Sequence, residues 1–141
     1  MTDAPDVVVD WVEGYTFLGS DDSGHSIAFD SSKKGVSRGF SPMKALLASL
    51  GACSGMDVVA ILGKRKQRLT SLKVSISGLR PEYGLPKPYT SISIKYLLTG
   101  KELQKEHVDE AVRGSIERYC SVAATVNSRA KIEYSYEIAE G

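Results

Sequence analysis

The sequence predicts an α+β protein, because segments with the two-residue period of strands lie on both sides of one long apolar stretch. That stretch is long enough for a helix of many turns and has apolar or small residues on every face. A helix that is apolar all round has to be buried. We therefore expect antiparallel strands in two groups around a long buried central helix.

Length and composition suit a single domain that covers residues 1–141, with 42% hydrophobic and 25% charged residues. The formal net charge of +1 gives no global reason to expect a nucleic-acid partner, and none is expected. The segment Met1–Asp6 is acidic and polar, unlike the basic and apolar start of a signal peptide. We expect a cytoplasmic protein.

The first group of strands is indicated by alternating apolar residues between turn signals. Val7–Trp11 and Tyr15–Phe17 flank a tight turn at Glu13–Gly14, which predicts a pair of strands. A second turn signal, Asp22–Gly24, precedes a third predicted strand over His25–Asp30.

The long helix has a clear start. Ser41 is a good N-cap and Pro42 suits the first helical position, and the pattern continues to about Lys66. No charged residue lies between Lys44 and Asp57. Because Asp57, three glycines and two serines interrupt this stretch, we expect a buried helix of a soluble domain and no membrane span.

The second half of the chain contains more strands and a second helix. Leu72–Ile76 and Ile92–Tyr96 alternate as strands with one buried face. Thr99–Glu102 resembles a capping box that opens a helix whose apolar stripe runs over Leu103–Tyr119. A last strand is predicted over Ile132–Ile138.

The chain has two cysteines, and both fall at unusual positions. Cys53 lies mid-helix within Gly51–Gly55, where small residues allow a close helix–helix contact or access to the thiol. Cys120 ends the second helical pattern and precedes a short helical segment, Ser121–Val126; a thiol at a helix N-terminus is expected to have a lowered pKa. Taken singly, each cysteine also fits an inert buried residue.

Metal binding by these thiols is not expected. The chain's histidines, His25 and His107, do not lie at metal-ligand spacing from either cysteine.

Two motifs in the sequence carry a resemblance to a known protein family. Phe40–Met43, Gly51–Cys53 and Asp57–Leu62 together resemble the first cysteine motif of the OsmC/Ohr superfamily, and in particular its YhfA-like branch. Tyr119–Val126 resembles the second cysteine motif. The order of predicted strands and helices agrees over essentially the whole chain.

This resemblance implies an intertwined homodimer with thiol sites and a peroxidase reaction that needs no cofactor. By analogy, Cys53 would reduce an organic hydroperoxide and become a sulfenic acid. Cys120 would then resolve it to a Cys53–Cys120 disulfide, which an external dithiol reduces.

The superfamily's peroxidases also use an Arg and a Glu around the reactive thiol. Met43 and Lys44 stand where relatives carry that Glu. Arg38, just before the helix, is the candidate Arg, although it also fits a solvent-exposed residue. Asp57, one helical turn beyond Cys53, is a further candidate, to orient a cation or to cap a partner backbone.

Two other functions remain open from the sequence. A redox sensor or regulatory thiol protein would share both cysteines but turn over peroxide poorly. A non-catalytic binding module has one supporting feature, the basic run Lys64–Arg68, which the helix dipole also favours at a helix end.

Overall fold

The first three strands form a sheet of their own in the computed structural model, which describes residues 3–31 and 35–141. The strands are β1 (Val7–Glu13), β2 (Thr16–Asp21) and β3 (Ser26–Phe29), antiparallel and in the order β1-β2-β3. Gly14 turns the chain between β1 and β2 with a φ of +54°, where a side chain would be strained. The predicted first group of strands is confirmed.

The chain divides into two compact units, one up to Leu46 and one from Leu47 onward. The first unit holds the sheet just described, and the second holds the remaining strands and both cysteines. The expectation of a single domain over 1–141 stays a prediction.

Helix α1 (Pro42–Lys64) begins where the sequence predicts. The backbone N–H of Lys44 donates to Oγ of Ser41 at 3.2 Å, which confirms Ser41 as the N-cap. Within the single chain, α1 is buried along one side. One row, with an i, i+4 spacing, is at most 1% exposed: Leu50, Ser54, Val58 and Leu62. A sheet covers one side of a helix, so Met56 on another side is 71% exposed.

The second sheet is built from β4 (Arg68–Leu79), β5 (Ser91–Lys101) and β6 (Lys131–Glu140), in the order β4-β5-β6. β4 and β5 pair antiparallel, but β5 and β6 pair parallel, so the prediction of antiparallel strands throughout is wrong here. Parallel neighbours need a crossover connection, and the helices between β5 and β6 supply it. The sheet's buried face is clearest on the central strand, through Ile92, Ile94, Tyr96 and Leu98.

The crossover consists of α2 (Lys105–Gly114), a π-helical segment (Ser115–Tyr119) and α3 (Ser121–Val126). The predicted capping box at Thr99–Glu102 is wrong, because β5 continues through Lys101 and α2 begins later, with Gln104 at the N-cap position and no side-chain cap hydrogen bond. Thr99 pairs with both neighbouring strands, and these ladder hydrogen bonds outweigh the local helix signal.

Two glycines of α1, Gly51 and Gly55, allow the helix to pack closely against the second sheet. A methyl group at Gly51 would lie 2.7 Å from Cδ1 of Ile76 on β4, and one at Gly55 would lie 3.8 Å from Val74. The small residues around Cys53 therefore serve a helix–sheet contact, where the sequence suggested a helix–helix contact.

Two matched substitutions test this close packing of α1 on the second sheet. Gly51→Ala is expected to raise the free energy of unfolding by less than a Gly→Ala change elsewhere in the helix, because Cδ1 of Ile76 has to move aside for the new methyl group and this offsets the helix-propensity gain. Gly63→Ala places the same methyl group in open space within the same helix and is expected to raise the free energy of unfolding by about 1 kcal/mol. Urea unfolding measures both, and equal gains would show that Gly51 has no packing role.

Candidate functional site

Cys53 lies in the middle of α1, immediately before the buried Ser54. Its side chain is half-buried and carries a free thiol. It is the more accessible of the two thiols, since Cys120 is only 3% exposed.

Cys120 lies between the π-helical segment and α3, and it caps α3. Its Sγ accepts the backbone N–H of Ala123 at 3.3 Å. Its own N–H donates to the carbonyl of Ser115 at 2.7 Å, a bond that spans five residues and closes the π-helical segment. The predicted position of Cys120 at a helix N-terminus is confirmed.

The two thiols interact, because Cys53 contributes to the pKa of Cys120. Burial raises the pKa of the Cys120 thiol to about 11, which outweighs the lowering by the Ala123 N–H. A thiol–thiol hydrogen bond to Cys53 raises that pKa further. The expectation of a lowered pKa for Cys120 is therefore wrong. A helix of six residues has only a small dipole, which does not compensate for the removal of the thiolate from water. Cys120 stays protonated at neutral pH and can donate to the sulfur of Cys53.

A chain of buried hydroxyl groups lies beside the cysteines. Oγ of Ser54 on α1 lies 2.5 Å from the hydroxyl of Tyr96 on β5. Oγ of Ser115, at the start of the π-helical segment, lies 2.7 Å from Oγ of Ser54. All three side chains are fully buried. Hydrogen bonds in such a place are not in competition with water.

Asp57 ends this hydroxyl chain. Ser115 Oγ donates to Oδ2 of Asp57 at 2.9 Å. The expectation that Asp57 orients a cation or caps a partner backbone stays a prediction. An ionised carboxylate can only accept. A hydroxyl group has a single hydrogen, and that of Ser115 points to Asp57. The oxygen of Ser115 therefore accepts from Ser54, and the oxygen of Ser54 accepts from Tyr96. Burial raises the pKa of Tyr96 to about 12, which keeps its hydroxyl protonated as the first donor.

Arg38 lies in the first unit, where its guanidinium forms an ion pair with Glu13. Its backbone N–H donates to Oδ2 of Asp30 at 3.0 Å. The side chain is 63% exposed, as the solvent-exposed alternative anticipated. A role for Arg38 at the thiolate stays a prediction.

A family model described as OsmC-like protein matches residues 33–135, and the two cysteines fall within the match. The chain belongs to the OsmC-like family. The resemblance carried by the two cysteine motifs is thereby confirmed.

Three relatives place this OsmC-like protein more closely. Protein YhfA of Escherichia coli strain K12 is 39% identical over 130 residues, which cover 92% of this chain and 95% of YhfA. A hypothetical protein of Aquifex aeolicus VF5 has a solved structure at 32% identity and a TM-score of 0.86, covering 99% of each chain. The structure of the organic hydroperoxide resistance protein OhrB of Bacillus subtilis has a TM-score of 0.63 at 14% identity, covering 93% of this chain and 97% of OhrB; it shares the fold.

Helix α1 is the one helix in the described part of the chain that is long and apolar enough to cross a bilayer. In this OsmC-like protein it is a core helix of a soluble fold. Its buried row packs within the second unit, and Ser54 on that row is hydrogen-bonded to Tyr96 and Ser115. Within residues 3–31 and 35–141, no three His, Cys, Asp or Glu side chains are grouped to hold a metal ion.

Sequence reasoning missed Ser54, Tyr96 and Ser115. In the sequence, Ser54 is one of several small residues around Cys53, and Tyr96 fits the apolar positions of its strand. Ser115 gave the usable signal, since it is a polar residue on the apolar stripe of the second helix, next to Ile116.

The raised pKa of Cys120 predicts its alkylation behaviour. At pH 8 only about one Cys120 side chain in a thousand is thiolate, so its rate of reaction with iodoacetamide should rise about tenfold per pH unit up to pH 10. Mass spectrometry of the Cys120 peptide measures this rate. The urea-unfolded chain is the control and should level off near pH 9. A plateau below pH 9 in the folded protein would contradict the assignment.

Proposed function

We propose that this OsmC-like protein reduces organic hydroperoxides, with Cys53 as the attacking thiol and Cys120 as the resolving thiol. The observation that carries the proposal is the asymmetry of the pair. Burial holds Cys120 protonated by raising its pKa to about 11, whereas the half-buried Cys53 lies beside it and can accept its hydrogen bond.

The reaction proceeds in two steps. The Cys53 thiolate attacks the outer oxygen of the hydroperoxide, so that an S–O bond forms and the O–O bond breaks. The products are a Cys53 sulfenic acid and an alkoxide, which takes a proton from solvent and leaves as the alcohol. The Cys120 thiol then condenses with the sulfenic acid, forming the disulfide and releasing water.

The cycle closes when an external dithiol reduces the disulfide by thiol exchange and is itself oxidised. Dithiol reductants of this kind are maintained in the cytoplasm, which is the location we propose for the protein.

Two further observations support an organic substrate. OhrB of Bacillus subtilis, which shares the fold, is named for resistance to organic hydroperoxides. On α1, the apolar residues Met56 and Val59 are 71% and 52% exposed within the chain, which gives the helix apolar surface near Cys53.

The redox-sensor alternative also has a specific observation in its favour. The candidate Arg38 is engaged with Glu13, and Met43 and Lys44 replace the family's Glu. Without these charged groups the first step would be slow, and one oxidation could act as a signal in place of repeated turnover.

Peroxide titration of the reduced protein tests the proposal. Cumene hydroperoxide at one equivalent should convert the wild type to the Cys53–Cys120 disulfide, and hydrogen peroxide should react more slowly. Cys53→Ser should consume peroxide no faster than buffer. Cys120→Ser should react once and stop at a sulfenic acid that dimedone traps. Mass spectrometry of both peptides gives the outcome.

The variants and turnover separate the alternatives. If Cys120→Ser is inert and Cys53→Ser reacts, the roles are reversed. A single stoichiometric oxidation, without turnover when a dithiol is supplied, favours the sensor. If both thiols stay reduced under excess organic hydroperoxide, neither redox function holds.

We also propose that the working form is a homodimer. Strand β1 is exposed along its whole length, and Trp11 is 69% exposed. Leu46 on α1 is 38% exposed within the single chain. Each of these apolar surfaces is worth about 25 cal/mol per Å² once covered, which favours association with a second copy.

A pair of substitutions on α1 tests the dimer. Leu50 is 1% exposed, so Leu50→Asp should unfold the chain, because a buried unpaired carboxylate costs several kcal/mol. Leu46→Asp should leave each chain folded and shift the sedimentation coefficient to that of a monomer. A wild type that sediments as a stable monomer at micromolar concentration would rule out the dimer.

A further inference from the structure

We infer that the chain of side chains Tyr96, Ser54, Ser115 and Asp57 fixes the segment that carries Cys120 relative to the helix that carries Cys53, so that these are positioning residues for disulfide formation. The inference deepens the proposed function and rests on it, since it assigns what governs the second step of that reaction.

Ser115 is the residue that joins the two cysteine-bearing segments. Its side chain bonds to Ser54 and Asp57 on α1, which follow Cys53 by one and four residues in the helix. Its main-chain carbonyl accepts the N–H of Cys120 at 2.7 Å. One residue therefore connects the helix that carries Cys53 with the backbone of Cys120.

Tyr96 anchors the other end of this connection to the sheet. Its hydroxyl lies 2.5 Å from Oγ of Ser54, and its pKa is raised by burial first, with the nearby Cys120 and Asp57 adding to the effect. The connection thus reaches from β5 to α1 and the π-helical segment, all within the second unit.

Directional bonds suit this task better than apolar contacts. Apolar neighbours such as Val112 and Val58 are fully buried, but apolar contacts have no preferred direction, whereas a hydrogen bond has a preferred distance and angle. A disulfide needs its two Cβ atoms about 3.5–4.5 Å apart. Hydrogen bonds at 2.5–2.9 Å between three rigid elements restrain that separation and raise the effective concentration of one thiol at the other.

Equilibration of the purified full-length protein with glutathione measures this effective concentration without peroxide. Glutathione disulfide oxidises the two thiols to the protein disulfide and is reduced to two glutathione molecules, so the ratio of forms gives the equilibrium constant. Ser115→Ala should lower that constant about tenfold or more, which is about 30 mV per tenfold change. Asp57→Ala should lower it too, and Asp57→Asn should restore it, because an amide oxygen still accepts from Ser115.

Two control variants match these changes. Ser121→Ala removes an exposed hydroxyl directly after Cys120, and Tyr136→Phe removes the hydroxyl of the residue paired with Tyr96 on β6. Both should leave the constant within twofold of wild type. Tyr96→Phe keeps the ring in the core and serves as the second test should Ser115→Ala fail to fold; it should lower the constant as well.

The outcomes distinguish this inference from the proposed function. A folded Ser115→Ala or Tyr96→Phe with a wild-type constant overturns the positioning role, whether or not the protein consumes peroxide. A lowered constant together with inertness toward cumene hydroperoxide supports the positioning of the thiols and removes the peroxidase. In an active enzyme, Ser115→Ala should oxidise Cys53 at the wild-type rate, close the disulfide more slowly and give more dimedone adduct. Equal slowing of both steps would indicate general loss of structure and contradict the inference.

Discussion

A buried hydroxyl group needs a hydrogen-bond partner, and here three buried hydroxyl groups bond to one another between α1, β5 and the π-helical segment. Leaving one unpaired would cost about 1–3 kcal/mol, a substantial part of a small domain's stability. Ser54, Tyr96 and Ser115 are fully buried, so only an arrangement that satisfies all three is stable. The surrounding apolar side chains provide contacts without a preferred direction. The hydrogen bonds fix the position of the crossover relative to α1, and the location of Cys120 depends on that position.

The environment makes two chemically identical side chains different. Cys120 is almost completely removed from water and keeps its proton, while Cys53, on a helix with exposed neighbours, remains partly accessible. A pair of equally exposed thiols would have no built-in order of reaction. The difference in burial alone makes the two thiols unequal in their access to solvent, without a charged group supplied from elsewhere in the chain.

Local signals in the sequence predicted much of the fold. Alternation and turn signals identified the six strands of the described residues, and Ser41 followed by Pro42 indicated the start of α1, because an N-cap bond involves only neighbouring residues. The parallel pairing of β6 was not predictable in this way, since periodicity does not record which strands become neighbours. At the site, both cysteines were found, but the raised pKa of Cys120 and the bond from Ser115 to Asp57 depend on residues distant in sequence.

The π-helical segment has a consequence for how relatives of this chain are aligned. A wide turn of this kind accommodates one residue more than a regular α-helix would, and each α-helical residue turns the chain by about 100°. A relative one residue shorter within Ser115–Tyr119 would continue as an α-helix and present its second cysteine in a different direction. When two relatives differ by a single-residue gap in this segment, their second cysteines point in different directions even though both sequences conserve the cysteine.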